Sequence, residues 1–398
     1  MQASSLPANG EALSAGQRRR SLAAVIASAG AAGLTFGLTI PLLALILEAD
    51  GIDSTWIGLN AASSAIAVLT VGPFVPRVLD ALGVLRAMYL SILASVVIIL
   101  LMPLWTGLGP WFLLRFLLGA FGAIHWIIGE TWIISVTTSA TRGRVIALYM
   151  TVLTAGFAAG PVLINLVGIE GWLPFLLSAG LIGLAGVPLL LAHGCAPKLP
   201  PRAPAAVALA FRTAPLLLAA AALAGFTDTA VFSLLPVYGL DIGLPQERAV
   251  LLLTVMLIGN LALQVPIGWL ADRTDRRRLL IVCGVIFLVC PLALPQLLEV
   301  EALLWPLLAI WGGASLGIYT LALTIVGDRF DAAALAGANA AVVAVYEAGS
   351  VLGPILGGGS MDSLGPDGLM WLLAIAASLF LVFAAYRARI RHGQADGG

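Results

Sequence analysis

Residues 156–161 read GFAAGP, and residues 349–358 read GSVLGPILGG. Each run sets two glycines four apart and follows the second with a proline, and the second run lies 193 residues after the first. Small residues four apart share one face of a helix and let two backbones approach, while a proline removes an internal hydrogen bond and bends the helix. One such run is ordinary helix packing. Its return at a fixed offset points to a unit used twice. The offset holds elsewhere: at 192 residues AGLT (32–35) meets AGFT (224–227), Gly51 meets Gly243, Asp80 meets Asp272 and Pro103 meets Pro295. At 194 and 193 Trp111 meets Trp305, Gly119 meets Gly313, and Gly160-Pro161 meets Gly353-Pro354.

The composition says what the unit is made of. Of 398 residues, 61% are hydrophobic and 10% charged, against about 25% charged in a soluble domain. Apolar runs of bilayer-spanning length, roughly 20 residues, occur at 22–47, 55–79, 86–106, 110–138, 144–168, 171–192, 214–240, 247–271, 278–298, 302–326, 335–359 and 367–387. These are twelve predicted transmembrane helices. The 44 glycines and 22 prolines do not argue for loops, because such residues are common in membrane helices.

The expected organisation is a tail at 1–21, a six-helix bundle at 22–192, a Pro-rich linker at 193–213, a second six-helix bundle at 214–387 and a tail at 388–398. The first apolar run is too long for the h-region of a signal peptide and no A-x-A site closes it, so it is read as a retained span.

Charge gives the orientation. The amino-terminal tail, the loops after even-numbered spans and the carboxyl tail carry 18 of the 20 Lys and Arg residues, leaving only Arg115 and Arg248. Both termini are therefore expected in the cytoplasm, with the chain in an inner (plasma) membrane. Six is even, so the two copies share one orientation and are related by an axis along the membrane normal, with a cavity expected between them.

Several classes of chemistry find no support. Lys198 is the one lysine and does not sit in G-x-x-x-x-G-K, so no phosphate-cradling loop is present. Cys195, Cys283 and Cys290 lack metal-ligand or disulfide spacing and read as packing residues. The chain is read as no enzyme, with no cofactor and no metal.

The ionisable residues inside the spans do not repeat: Arg115 falls opposite Ala309, Glu130 opposite Thr324 and Asp228 opposite Phe36. Scaffold demands apply to both halves, whereas one shared site needs each charge once. A charge at the bilayer centre costs about 2.5–3.5 kcal/mol on insertion scales, so these groups must face protein or water. At 100° per residue, Arg115, Gly119, Gly122, Trp126 and Glu130 fall on one face of the fourth span, with His125 at its edge. His125 reads first as an imidazole bonded to a neighbouring helix.

Glu130 lies roughly 15 Å from the cytoplasmic loop at 1.5 Å per residue. There it becomes a group that takes and releases a proton as the cavity opens to each side. Asp228 and Glu347 lie near mid-membrane beside Thr227, Thr229 and Tyr346, with Asn339 two turns before Glu347. Thr35, Asn60, Asn260, Gln264, Tyr319 and Thr324 are further candidates for the cavity lining, although scattered polar residues more often bond to neighbouring helices. Three acids against one arginine suit protons or cationic, amphipathic solutes better than anions.

These features resemble the major facilitator superfamily over essentially the whole chain. GWLADRTDRRR (268–278) resembles the family's G-x-L-a-D-r-x-G-r-k loop, with Gly268, Asp272, Arg273 and Arg276 in place and Asp275 where the second glycine is usual. PRVLDALGVLR (76–86) keeps Asp80, Gly83 and Arg86, with Pro76 for the first glycine. In the family these loops lock the cytoplasmic side. Arg115-x-x-x-Gly119 resembles the fourth-span motif, whose arginine the family associates with proton coupling. Gly156, Gly160 and Pro161, and again Gly349, Gly353 and Pro354, resemble the fifth-span motif typical of antiporters. RGRVIALYM (142–150) and Gln264-x-Pro-Ile-Gly-x-Leu-Ala-Asp272, with Glu130, are most similar to the YcaD-type, efflux-like branch.

The resemblance implies a secondary transporter working by alternating access, with a small-molecule solute and protons as partners, the lipid bilayer around it, no nucleic acid, and a monomeric state. The preferred expectation is proton-coupled antiport exporting a small cationic or amphipathic organic solute. An importing proton symporter fits the same residues. A non-transporting sensor or assembly factor is disfavoured by the short connections.

Overall fold

The computed structural model describes residues 13–137, 141–197, 211–329 and 332–395. Among these the chain is helical, with twelve helices long and apolar enough to cross a membrane. They are α1 (Ala15–Ala49), α2 (Ser54–Leu82), α3 (Val84–Leu101), α4 (Leu108–Val136), α5 (Arg142–Val167), α6 (Leu173–Ala192), α7 (Pro215–Asp241), α8 (Gln246–Arg273), α9 (Arg276–Leu297), α10 (Glu301–Arg329), α11 (Ala332–Leu364) and α12 (Gly368–Ala395). Each predicted span falls on one of them. Of the proposed linker, 198–210 lies outside the described residues.

Boundaries differ for physical reasons. α1 begins before Arg18-Arg19-Arg20, since backbone bonding continues where hydrophobicity stops. α2 is not regular throughout. Pro73 and Pro76 lack amide donors, and a 3-10 turn at Gly72–Phe74 interrupts it. The matched Gly51 and Gly243 follow α1 and α7 at φ 74° and 85°, a left-handed backbone that glycine adopts at little cost.

The described residues form two compact units, 13–46 with 63–137 and 141–197, and 47–62 with 211–329 and 332–395. In the first, α5 lies backbone to backbone on α1. A Cβ on Gly156 would stand 2.5 Å from the Gly30 carbonyl oxygen, and one on Gly160 would strike the backbone of Gly37 and Leu38. In the second, α11 lies on α7 in the same way. Gly349 meets the Ala222 carbonyl, Gly353 that of Phe226, and Gly225 that of Tyr346. The repeated G-x-x-x-G-P run thus does one job twice, in α5 on α1 and in α11 on α7.

A second repeated contact places Gly119 of α4 against Ser64 of α2, and Gly313 of α10 against Leu263 of α8. Lipid tails are as apolar as leucine, so close van der Waals contact of this kind, rather than hydrophobic burial, drives helix association in a bilayer.

The first half of α2 joins the second unit through α11. Gly58 lies against the Pro354 carbonyl and Gly358 against that of Ser54. The Asp362 carboxylate then caps α2: Oδ1 accepts from Ser54 N at 3.0 Å, and Oδ2 accepts from Thr55 N at 2.8 Å and Thr55 Oγ1 at 2.5 Å. Orphan amides at a helix start need such acceptors, and a carboxylate also meets the positive end of the helix dipole.

The two motif loops are built differently from each other. Gly83 stands at φ 74° between the two helices it separates, while Asp80 and Arg86 are exposed. In the second loop Arg276 pairs with Asp272 at 3.2 Å, and Arg273 stacks over Trp269 at 4.0 Å. Asp275 caps α9 by accepting from Arg277 N at 2.9 Å and Arg278 N at 2.8 Å. The residue that departs from the family pattern therefore starts the next helix. Gly268 has nothing within 4 Å of where a Cβ would stand, so packing does not require glycine there.

Two expectations follow. Gly160→Ala and Gly353→Ala each lower the thermal stability of the purified protein, by about 1–3 kcal/mol as overpacked sites do, whereas Gly268→Ala is neutral or stabilising; equal behaviour of all three contradicts the packing account. Asp362→Ala lowers stability by about 0.5–2 kcal/mol, as loss of a helix cap does, and raises exchange of the Ser54 and Thr55 amides.

Candidate functional site

In the first unit the polar residues of α4 separate into distinct environments. Arg115 is buried at 3% exposure, and its carbonyl accepts from Ser64 Oγ of α2 at 3.3 Å. Gly122 lies under the ring of Phe36. His125 is buried, with Nε2 3.4 Å from Ser28 Oγ of α1. This is the interhelical bond its position suggested. One turn apart on the same face, Trp126 Nε1 donates to Glu130 Oε1 at 2.8 Å.

The face anticipated from helical spacing is therefore not uniform. It is sealed near Arg115 and Gly119, and opens toward Trp126, which is 36% exposed, and the half-buried Glu130. Arg115 and Glu130 are fifteen residues apart, about 22 Å along the axis at 1.5 Å per residue, which is beyond the reach of a direct pair. Beside Glu130, a Cβ on Gly129 would stand 3.4 Å from the Tyr149 hydroxyl of α5. Thr35 donates its hydroxyl proton to the Ala31 carbonyl of its own helix at 2.9 Å.

In the second unit three helices converge on Asp228. Its Oδ1 accepts from Ser315 Oγ of α10 and its Oδ2 from the Tyr346 hydroxyl of α11, the latter at 3.1 Å. The rings of Tyr346 and Tyr319 pack 5.0 Å apart, tilted by 57°. Asn260 of α8 shares a small cavity with Asp228 and Ser315. Thr227, adjacent in sequence, is fully buried, and its hydroxyl has no hydrogen-bond partner among the described residues. Glu347 is half-buried and, 100° around the helix from Tyr346, does not share that residue's approach to Asp228. Gln264 is half-buried, Thr324 bonds back to the Thr320 carbonyl at 2.7 Å, and the side chain of Asn339 lies outside the described residues.

Sequence reading missed Ser315 and Ser28. Ser315 stands four residues before Tyr319 on α10, and that one-turn spacing was the only available signal for it. Nothing in α1 marked Ser28. Among the described residues no group of three or more His, Cys, Asp or Glu side chains is placed to hold a metal ion. The three cysteines are buried and free.

Comparison with known proteins agrees with this architecture. The family model described as Major Facilitator Superfamily matches residues 25–253 and 217–396. The uncharacterized MFS-type transporter YfkF of Bacillus subtilis is 26% identical over 356 residues, covering 87% of this chain and 90% of its own length. The uncharacterized MFS-type transporter YcaD of Escherichia fergusonii is 26% identical over 347 residues, covering 84% and 87%.

Among solved structures, a bacterial homolog of the human lysosomal transporter Spinster, in an inward-facing and unoccupied conformation, superposes with a TM-score of 0.70 at 14% identity, covering 94% of this chain and 96% of that one. A D-xylose–proton symporter gives 0.72 at 13% identity, covering 92% and 96%. At these identities the superpositions speak for the fold alone. By its sequence match over nearly the whole length and its twelve spans, the chain belongs to the Major Facilitator Superfamily, the secondary transporters that carry small solutes across membranes.

Proposed function

We propose that this transporter is proton-coupled and works by antiport, exporting a small cationic or amphipathic organic solute by alternating access. Both termini then lie in the cytoplasm, as the distribution of basic residues favours. The observation that carries the reading is the pair Trp126 and Glu130. A carboxylate deep in a membrane helix accepts from an indole N–H 2.8 Å away, on the part of α4 that opens rather than on the part that is packed shut. An indole N–H stabilises a carboxylate through one hydrogen bond without supplying a counter-charge. That bond by itself does not hold Glu130 ionised.

Arg115 serves at a distance. Buried in the packed upper part of α4, it contributes a fixed positive charge to the interior of the unit instead of a direct contact with Glu130. Glu347, Tyr319, Gln264 and Trp126 supply the acidic, aromatic and amide surface that a cationic amphipathic solute needs. The curated relatives named as MFS-type transporters support transport as such; the direction rests on the antiporter-type G-x-x-x-G-P motif and on the efflux-like resemblance.

Glu130→Gln keeps the acceptor for Trp126 and removes the titration. In vesicles containing the purified protein, this variant is expected to fold, insert and bind solute while proton-driven flux falls to the level of protein-free vesicles. Full pH-dependent flux in Glu130→Gln contradicts the assignment. Accumulation on the side opposite to the acidic compartment turns the reading into symport.

A further inference from the structure

Two half-buried arginines close one end of the seam between α9 and α12 in the second unit. The helices touch where Gly284 of α9 meets the side chains of Phe380 and Leu381 of α12. They stand three spans apart in chain order and therefore run antiparallel. Seven residues back from Gly284 is Arg277, and seven residues on from Phe380 is Arg387. Seven residues make nearly two whole turns, about 10.5 Å along the axis, so each arginine keeps the face of the contact residue and both lie toward the same end of the seam. The stripes are packed up to that point. Leu280, Gly284 and Phe287 are buried on α9, and Ala377, Phe380 and Ala384 on α12. Arg277 and Arg387 continue these stripes and are half-buried, whereas Arg278 and Arg389 are exposed.

Among the described residues neither guanidinium has a hydrogen bond or an ion pair. The acids of the adjoining loop are engaged elsewhere: Asp272 pairs with Arg276 at 3.2 Å, and Asp275 accepts from the backbone amides of Arg277 and Arg278. Residues 268–278 and 386–389 together hold six arginines and two aspartates. Like charges on facing stripes repel, and an anion placed between them turns that repulsion into attraction. A guanidinium presents a planar fork of donors that fits phosphate oxygens.

Further along both helices the outer surface is apolar. Val282 and Val285 of α9 and Leu379 and Val382 of α12 are exposed, which is where acyl chains lie in a bilayer. Trp269, with Arg273 stacked over it at 4.0 Å, and Tyr386 are exposed at the arginine end, and both are residue types of the membrane–water boundary. We propose that Arg277 and Arg387 together hold the phosphate of one anionic phospholipid, with its headgroup at the end of the seam and its acyl chains along α9 and α12. The surplus of arginine favours an anionic headgroup over a zwitterionic one. Under the orientation proposed above this lipid belongs to the cytoplasmic leaflet; its binding depends on neither proton coupling nor the direction of transport.

The test uses the full chain, purified in a nonionic detergent, with thermal unfolding followed at constant ionic strength as phosphatidylglycerol or phosphatidylcholine of the same acyl chains is added to the micelles. A ligand that binds only the folded state raises the unfolding temperature saturably. Phosphatidylglycerol is expected to do so where phosphatidylcholine and inorganic phosphate do not. Arg277→Gln and Arg387→Gln each raise the lipid mole fraction at half-effect by about tenfold or more, the loss of one contact to a charged group, and the double variant abolishes the shift. Arg389→Gln removes the same charge about 200° around α12 from Arg387 and leaves the half-effect unchanged.

Equal shifts with both lipids, or none with either, overturn the proposal. So does an equal loss in Arg389→Gln, which means a diffuse field of arginines in place of a paired site, and so does saturation by inorganic phosphate alone, which means that the site takes a free anion. The lipid comparison on the wild-type protein decides the matter where a variant does not fold. Because no flux is measured, failure here leaves the Glu130 reading standing, and failure of the Glu130 flux test leaves this lipid site untouched.

Discussion

A lipid bilayer supplies no water to a buried polar group, and that one constraint organises this protein. A charge or hydroxyl inside a span is stabilised by a partner on its own helix or on a neighbour. Thr35, Thr254 and Thr324 take the cheapest solution and bond to the preceding turn of their own helix. His125 reaches one helix away, to Ser28. Asp228 draws on two others at once. Glu130 differs from these, since its partner is a tryptophan one turn away on its own helix that is itself partly exposed. Partners drawn from tightly packed helices mark scaffold, and a partner on a partly exposed face marks candidate chemistry.

Such partners come within reach only because the helices stand very close. Glycine makes that approach, twice over, at matched places in the two halves. Gly156 and Gly160 bring α5 onto α1, and Gly349 and Gly353 bring α11 onto α7. The second contact is also what delivers Tyr346 to Asp228, because Gly225, three residues before Asp228, lies against the Tyr346 carbonyl itself. Packing and site are here the same contact. A bulkier residue at Gly225 would push away the hydroxyl that holds the carboxylate.

The fold was legible in the sequence to the extent that it depends on local composition and on the repeat. Hydrophobicity located all twelve spans, since crossing a bilayer leaves little freedom, and the offset of the glycine runs marked helix faces that pack closely, without naming their partners. Within a single helix, spacing also succeeded: Trp126 and Glu130 meet as four-residue neighbours should. It failed where partners come from different helices. The Asp228 cluster joins residues 87 and 118 positions away in the chain, and the Asp362 cap spans 308; no periodicity carries such pairings. Helical spacing also grouped Arg115 with Glu130 on one face, although α2 covers the first and the second stands near open surface.

Under the proposed function, the energy for moving solute comes from an ion gradient acting on carboxylates inside the spans. The most direct measurement imposes a pH gradient across vesicles containing the purified wild-type protein, without nucleotide, and follows candidate solutes together with the gradient. The expected result is that adding a transported solute speeds collapse of the gradient, and that solute accumulates toward the acidic side until an ionophore dissipates the gradient. Solute movement of unchanged rate and extent after the gradient is abolished would contradict it.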